Sequence, residues 1–248
     1  MNESENSLEG IDTQHGLVGF FDVLGYQKIN ENSQIKEAVL VVRRILETTR
    51  KSQKANDFVG TLVDQTFCEH VVFSDSILVY SSFKKSRDQA TSAAMFASYC
   101  SGLITELFWA GLPVRGALAL GDYYVENHMG SVCFAGRPII EAHELADCLD
   151  LAACVVAPSA EEMFSTDPGF FEYLVPLKGQ KQKMIMLNHY ASSWAERELS
   201  REVMMKMFGA HNKHVGIEVL SKVNNTLEFL RECRSNAARL AGKTDVKQ

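Results

Sequence analysis

A ferredoxin-like α/β sandwich with helices added at its C-terminal end is the fold this sequence predicts. Two observations carry that prediction. Short apolar strands and amphipathic helices alternate between Gly16 and Leu187, in a two-helix, four-strand arrangement. The 248-residue chain is also 46% hydrophobic and 23% charged, enough apolar material for one core of roughly 190 residues and a helical appendage. The expected division is a flexible tail over 1–14, a core domain over 15–190 and a helical extension over 191–248.

Gly16 to Phe21 is apolar enough for a buried strand, which has no use for an acid, so Asp22 belongs at its end, facing a cation or a partner. Beyond it, Val23, Leu24, Gly25 and Tyr26 can present successive main-chain N–H groups at a helix start, an arrangement that suits polyphosphate. A strand end followed by an ordinary helix cap also reads from these residues. From a cap at Ser33, the spacing of Ile35, Val39, Val42, Ile45 and Leu46 predicts a helix to about Arg50, with Lys51 to Asp57 as polar connector. Val71 to Tyr80 is two apolar strands interrupted by Ser74-Asp75-Ser76, a tight hairpin with a carboxylate at its tip.

A long helix follows from Ala90 to Ala110, where the small residues Ala93, Ala94, Ala97 and Ser98 permit close packing and Gly111-Leu112-Pro113 ends it. Val114 to Leu120 is the next strand, and an irregular passage is expected from Gly121 to Gly130. Ser131 to Phe134 reads as a short strand, and Pro138 suits the first turn of a helix to about Asp147. Leu151 to Ala157 reads as a buried strand, Pro158 to Phe164 as a short helix, and Phe170 to Lys178 with Met184 to Leu187 as two more strands. Leu220, Val223, Leu227 and Leu230 form an apolar stripe on a helix from about His214 to Leu240, suited to packing on the parent domain or to a dimer seam.

An aspartate closing one strand and another at a hairpin tip on a neighbouring strand are what two-metal phosphoryl transfer requires. Two divalent ions about 4 Å apart clamp the attacking and leaving oxygens. Magnesium needs only one or two carboxylates beside substrate phosphates. Other classes are disfavoured. The net charge of -6 supplies no broad basic surface for duplex nucleic acid. A mean hydropathy of -0.09 without a long apolar run argues against a membrane span. Met1 to Thr13 lacks the basic start and apolar centre of a signal peptide, so the expected location is the cytosol. Cys68, Cys100, Cys133, Cys148, Cys154 and Cys233 form no C-x-x-C pair and read as reduced core residues. His143 carries little weight, and His211 and His214 lack the further ligands of a structural zinc site and read as surface residues.

Four segments, in order over about residues 16 to 190, resemble class III nucleotidyl cyclase catalytic domains. Phe20-Phe21-Asp22-Val23-Leu24-Gly25-Tyr26 is similar to the family's F-x-D-hydrophobic-x-G-F/Y segment, and Phe73-Ser74-Asp75 to its G/S-D hairpin. Pro113 to Gly121, with Val114-Arg115, is similar to its V-R-x-G-x-x-x-G strand, and Val175 to Lys181 to its late V-K-G-x-K segment. The resemblance implies two Mg²⁺ or Mn²⁺ ions on Asp22, Val23 and Asp75, with the ribose 3′-oxygen attacking the α-phosphorus and pyrophosphate leaving. It implies Arg115 on the phosphates from the metal-binding subunit and Lys178 on the terminal phosphates from the other, hence a homodimer with sites at its interface. Read without the resemblance, Arg115 is a surface strand cation and Lys178 a solvated turn lysine.

The departures are informative. Val71 and Cys133 stand where the family reads a purine base, and valine offers no hydrogen bond to a base edge. Ile140 and Glu144 stand at the family's transition-state Asn and Arg, with Arg137, Arg43 and Arg44 as candidates for the missing charge. This combination resembles the pyrimidine cyclases of bacterial Pycsar antiphage systems. That implies UTP or CTP as substrate, UTP being the first expectation, and a cyclic UMP or CMP messenger that reaches a downstream effector. A purine cyclase and a catalytically inactive cyclase-like regulatory module remain open alternatives.

Overall fold

The computed structural model of the chain describes residues 12–63, 68–83, 88–128, 131–189 and 197–242. β1 (Gln14–Val23) leads through α1 (Tyr26–Asn32) and α2 (Ile35–Val63) to the hairpin of β2 (Glu69–Phe73) and β3 (Ser76–Ser82). α3 (Gln89–Trp109) returns the chain to β4 (Val114–His128). β5 (Ser131–Gly136), α4 (Arg137–Cys148) and β6 (Cys154–Val156) follow, then a 3-10 turn at Pro158–Ala160 and α5 (Glu161–Phe164). The hairpin of β7 (Phe170–Leu177) and β8 (Gln180–Leu187) precedes α6 (Arg201–Phe208) and α7 (Ile217–Leu240).

The sheet runs β2-β3-β1-β4-β6-β8-β7, with β5 paired to β4. Each neighbouring pair among its first four strands is antiparallel, and together they form the expected ferredoxin-like unit, in which β1-α2-β2 is a split βαβ with β3 between its two parallel strands. Alternation along β1 sends Leu17, Phe21 and Val23 into a core with Val41 and Ile45 of α2 and Phe96 and Leu103 of α3. Val18 and Phe20 point the other way, toward Ala142 and Ala146 of α4 and Leu227 and Leu230 of α7. Gly16 permits this packing, because a Cβ there would lie 1.9 Å from the Ser81 carbonyl oxygen of the adjoining strand.

Several expectations need correction. Lys51 to Asp57 is helix, not connector, since α2 runs on to Val63: Lys51, Gln53, Lys54 and Ala55 are good helix formers, and no Gly or Pro falls between Lys51 and Asp57. The buried face of α2 is Ala38, Val41, Ile45 and Thr49, so Ile35 and Val39 lie 77% and 41% exposed. The passage beyond Gly121 is strand, because β5 supplies partners from Tyr123↔Gly136 to His128↔Ser131. The strand expected from Leu151 contracts to Cys154–Val156, the Ala152 N–H being taken by the Thr226 hydroxyl at 2.8 Å rather than by a ladder. Val223, Leu227 and Leu230 are buried by the chain itself, so that stripe packs on the parent core rather than forming a seam. Most of the expected tail, residues 1–11, and the boundary at 190–191 lie outside the described residues.

Candidate active site

Asp22 sits one residue from the end of β1, paired in register with Ser76 of β3 on one side and Arg115 of β4 on the other. The next residue, Val23, donates its N–H to the Asp75 carbonyl at 3.0 Å. That bond fixes the tip of the β2–β3 hairpin beside Asp22, so carboxylates 53 positions apart in sequence become neighbours. Ser74 takes φ 59 to make the turn, a left-handed conformation uncommon for a residue with a side chain. Partial burial pushes the Asp22 carboxyl above its usual range, the Arg115 guanidinium draws it back, and the Asp75 charge adds a further upward push.

Arg115 reaches Asp22 Oδ2 through both Nε and Nη2 at 3.1 Å. Its other contacts go to a residue that the sequence reading missed. Nη2 lies 2.6 Å from Asp147 Oδ1, and Nη1 donates to the Asp147 carbonyl at 2.7 Å. Lys178 then donates from Nζ to Asp147 Oδ2 at 3.0 Å. Asp22, Arg115, Asp147 and Lys178 thus form one chain of alternating charge across the ends of β1 and β4, the last turn of α4 and the β7–β8 turn. Lys178 first, and Arg115 beside it, hold the Asp147 carboxyl below its usual range. The one hint in the sequence is an acid in the last turn of a helix, where the helix dipole disfavours it.

Comparison with known proteins bears on this arrangement only through the fold. No protein-family model matches the chain, and no curated protein matches it by sequence. The adenylyl cyclase CyaB from P. aeruginosa superposes with a TM-score of 0.55 at 12% identity, over 71% of this chain and 94% of that one. The guanylate cyclase domain of RhGC from Catenaria anguillulae, solved with GTP, gives 0.51 at 15% identity, over 71% of this chain and 97% of that one. The fold is that of a class III nucleotidyl cyclase domain.

On this cyclase fold the remaining predicted residues fall as follows. The Val23 and Leu24 amides are engaged inside the protein, with Asp75 O and with Pro113 O at 2.9 Å, which corrects the expectation of four N–H groups turned toward phosphate. Gly25, at φ 78, caps α1, and Tyr26 opens it. Beneath this loop lies Lys213, another residue missed in the sequence, with Nζ 2.9 Å from the Gly111 carbonyl and 3.5 Å from that of Leu24. Burial lowers its ammonium to about 8. Nearby, His211 is half-buried and donates from Nε2 to the Ala110 carbonyl at 2.8 Å, so it is a docking group, whereas His214 is exposed as expected.

Val71 is half-buried on β2 and Cys133 exposed on β5. The contact made between these strands belongs to their neighbours Phe73 and Phe134, which stack at 5.5 Å and 24° while remaining exposed. Ile140 and Glu144 are exposed on α4 and share a recess with Arg137, whereas Arg43 and Arg44 line a separate recess with Glu37 and His211. Of the three candidate cations, Arg137 alone shares the Ile140 and Glu144 recess.

Proposed function

We propose that the chain cyclises a nucleoside triphosphate, joining the ribose 3′-oxygen to the α-phosphorus and releasing pyrophosphate. The observation that carries this reading is the pairing of Asp22 with Asp75 at adjoining strand ends, with Arg115 against Asp22. The donors suit a hard divalent ion: a carboxylate kept partly desolvated and a second beside it, joined, as the resemblance implies, by the main-chain oxygen of Val23. Among the described residues no group of three or more His, Cys, Asp or Glu side chains is placed to hold a metal, so substrate phosphate would complete the shell. Bound there, Mg²⁺ or Mn²⁺ would neutralise phosphate charge and make the 3′-hydroxyl more acidic. Arg115, and Lys178 from the other subunit of the dimer, bind and orient the phosphates.

For the base we infer a pyrimidine, UTP ahead of CTP. Val71 has no group to read a purine edge, and the Phe73–Phe134 pair offers stacking in place of hydrogen bonds. Exposed Phe73, Val132 and Phe134 give a second copy of the chain an apolar surface to cover, in keeping with a homodimer. The resemblance of the sequence to Pycsar cyclases supports a cyclic pyrimidine messenger acting on a downstream effector in antiphage defence. Among the described residues no helix is long and apolar enough to cross a membrane.

The test is incubation with ATP, GTP, CTP and UTP separately, with Mn²⁺, followed by mass spectrometry, beside Asp75→Asn. A 3′,5′-cyclic pyrimidine that falls at least a hundredfold in the variant is expected. Cyclic AMP or GMP as main product would overturn the base assignment and leave the reaction standing. No cyclic product from a folded dimer would point to an inactive regulatory module.

A further inference from the structure

We propose that Lys213 is a positioning residue for the candidate metal site: reaching in from the C-terminal helices, it ties the end of the Asp22 strand to the turn that leads into the Arg115 strand. The proposal rests on the reading of Asp22 and Asp75 as metal ligands. Three observations support it.

The tie continues the sheet where its ladder stops. Register between β1 and β4 ends at Val23↔Val114, and the Leu24 N–H then donates to the Pro113 carbonyl at 2.9 Å. Lys213 Nζ closes the next step, donating to the Gly111 carbonyl at 2.9 Å and lying 3.5 Å from that of Leu24. The ammonium therefore spans a segment two residues beyond Asp22 and a turn four residues ahead of Arg115.

The segment that delivers Lys213 is itself gripped from several sides. It joins α6 to α7, and His211 and Asn212 are successive left-handed residues at φ 59 and φ 60. His211 holds the Ala110 carbonyl. Asn212 Nδ2 donates to Ser33 Oγ and to Glu37 Oε2, each at 3.2 Å, and the Asn212 carbonyl accepts from Asn32 Nδ2 at 3.1 Å. Turned this way, the chain passes Gly111, where a Cβ would lie 2.4 Å from that of Ala210, and sends the lysine stem beneath Gly25.

Filling the slot does not require a lysine. Lys213 is 6% exposed and, among the described residues, meets main-chain oxygen and no carboxylate. A buried ammonium without a counter-charge is costly, and a methionine of similar length would occupy the same space without desolvating a charge. What methionine lacks is a donor for the Gly111 and Leu24 carbonyls. The C-terminal helices, which lie outside the ferredoxin-like unit, thus contribute one group to the setting of the site.

The experiment is Mn²⁺ titration of the full chain followed by electron paramagnetic resonance, which needs neither nucleotide nor turnover. The part of the binding lost in Asp75→Asn reports the candidate site. Lys213→Met is expected to weaken that part about tenfold. Lys213→Gln keeps a donor and should lose less, and it supplies the reading if the methionine variant does not fold. Val223→Ala, which thins the packing of α7 in the core shared with α4, controls for a general loosening of the C-terminal helices and should leave Mn²⁺ binding within about twofold. Circular dichroism melting shows which variants are folded. With nucleotide, Lys213→Met lowers kcat about tenfold while KM barely moves, the split expected when reacting groups are misplaced and substrate contacts are kept. Unchanged Asp75-dependent Mn²⁺ binding in the folded Lys213 variants, or an equal loss in Val223→Ala, overturns the proposal. The two readings fail separately: Mn²⁺ binding that needs both Asp75 and Lys213 in a chain that makes no cyclic nucleotide keeps the positioning role and removes the cyclase, and an active cyclase indifferent to Lys213→Met does the reverse.

Discussion

Lys178 and Lys213 are two cations next to elements of the candidate site, and the protein holds them in opposite ways. Lys178, on a turn with its side chain 53% exposed, is paired with a carboxylate that is equally exposed. Lys213 is only 6% exposed and meets main-chain carbonyls of the α3–β4 turn and of the β1–α1 loop. An ion pair in water is weak and its partner can be exchanged, whereas a buried ammonium is costly to place and fixes whatever its donors reach. The difference teaches that the part of the site proposed to meet a ligand is built from interactions that can be traded. The side that shapes the loop after Asp22 is built from interactions that cannot.

The most disruptive way to break this contrast is Lys213→Glu, which buries an anion against the Gly111 and Leu24 carbonyls. A loss of about 3–5 kcal/mol in urea unfolding is expected, and a loss below about 1 kcal/mol would mean that Lys213 is not confined. Arg115→Ala is intermediate. It leaves Asp22 partly buried without its cation, at a cost of about 2 kcal/mol at pH 7. Because desolvation already raises the Asp22 carboxyl, protonation relieves that cost, so the deficit should shrink as pH falls toward 4, and a pH-independent deficit would place its origin in packing.

The smallest expected effect is a slope. Lys213 titrates at about 8 in the fold against 10.5 when free, so between those values the unfolded chain binds the extra proton and stability rises with pH. Measured against Lys213→Met, which cannot titrate, the natural chain should gain about 1 kcal/mol between pH 7 and pH 9. Parallel pH profiles would show that the ammonium is not desolvated.

Asp22 and Asp75 were legible in the sequence because each is a charge at the edge of an apolar run, where burial makes it conspicuous. The four-strand core was legible for the same reason, its residues alternating in and out of the sheet. Asp147 was not, since an acid on a polar helix end looks solvated and its partners lie 31 and 32 positions away in opposite directions. Lys213 was hidden among histidines that read as surface, and only the approach of Gly25, where a Cβ would sit 3.0 Å from the Lys213 Cδ, reveals how tightly its stem is enclosed. Phe73 and Phe134 were visible as residues but not as a pair, because no local pattern announces which edge strands will meet.

The hydrogen bond from the Val23 N–H to the Asp75 carbonyl does more than bring two acids together. It makes the spacing of their two backbones a property of strand register, as a ruler is set by its markings. Side-chain rotation then decides how far apart the carboxylates themselves stand. For the cation proposed here, the main-chain ladder that holds the fold would supply a fixed frame, and two short side chains would do the fitting.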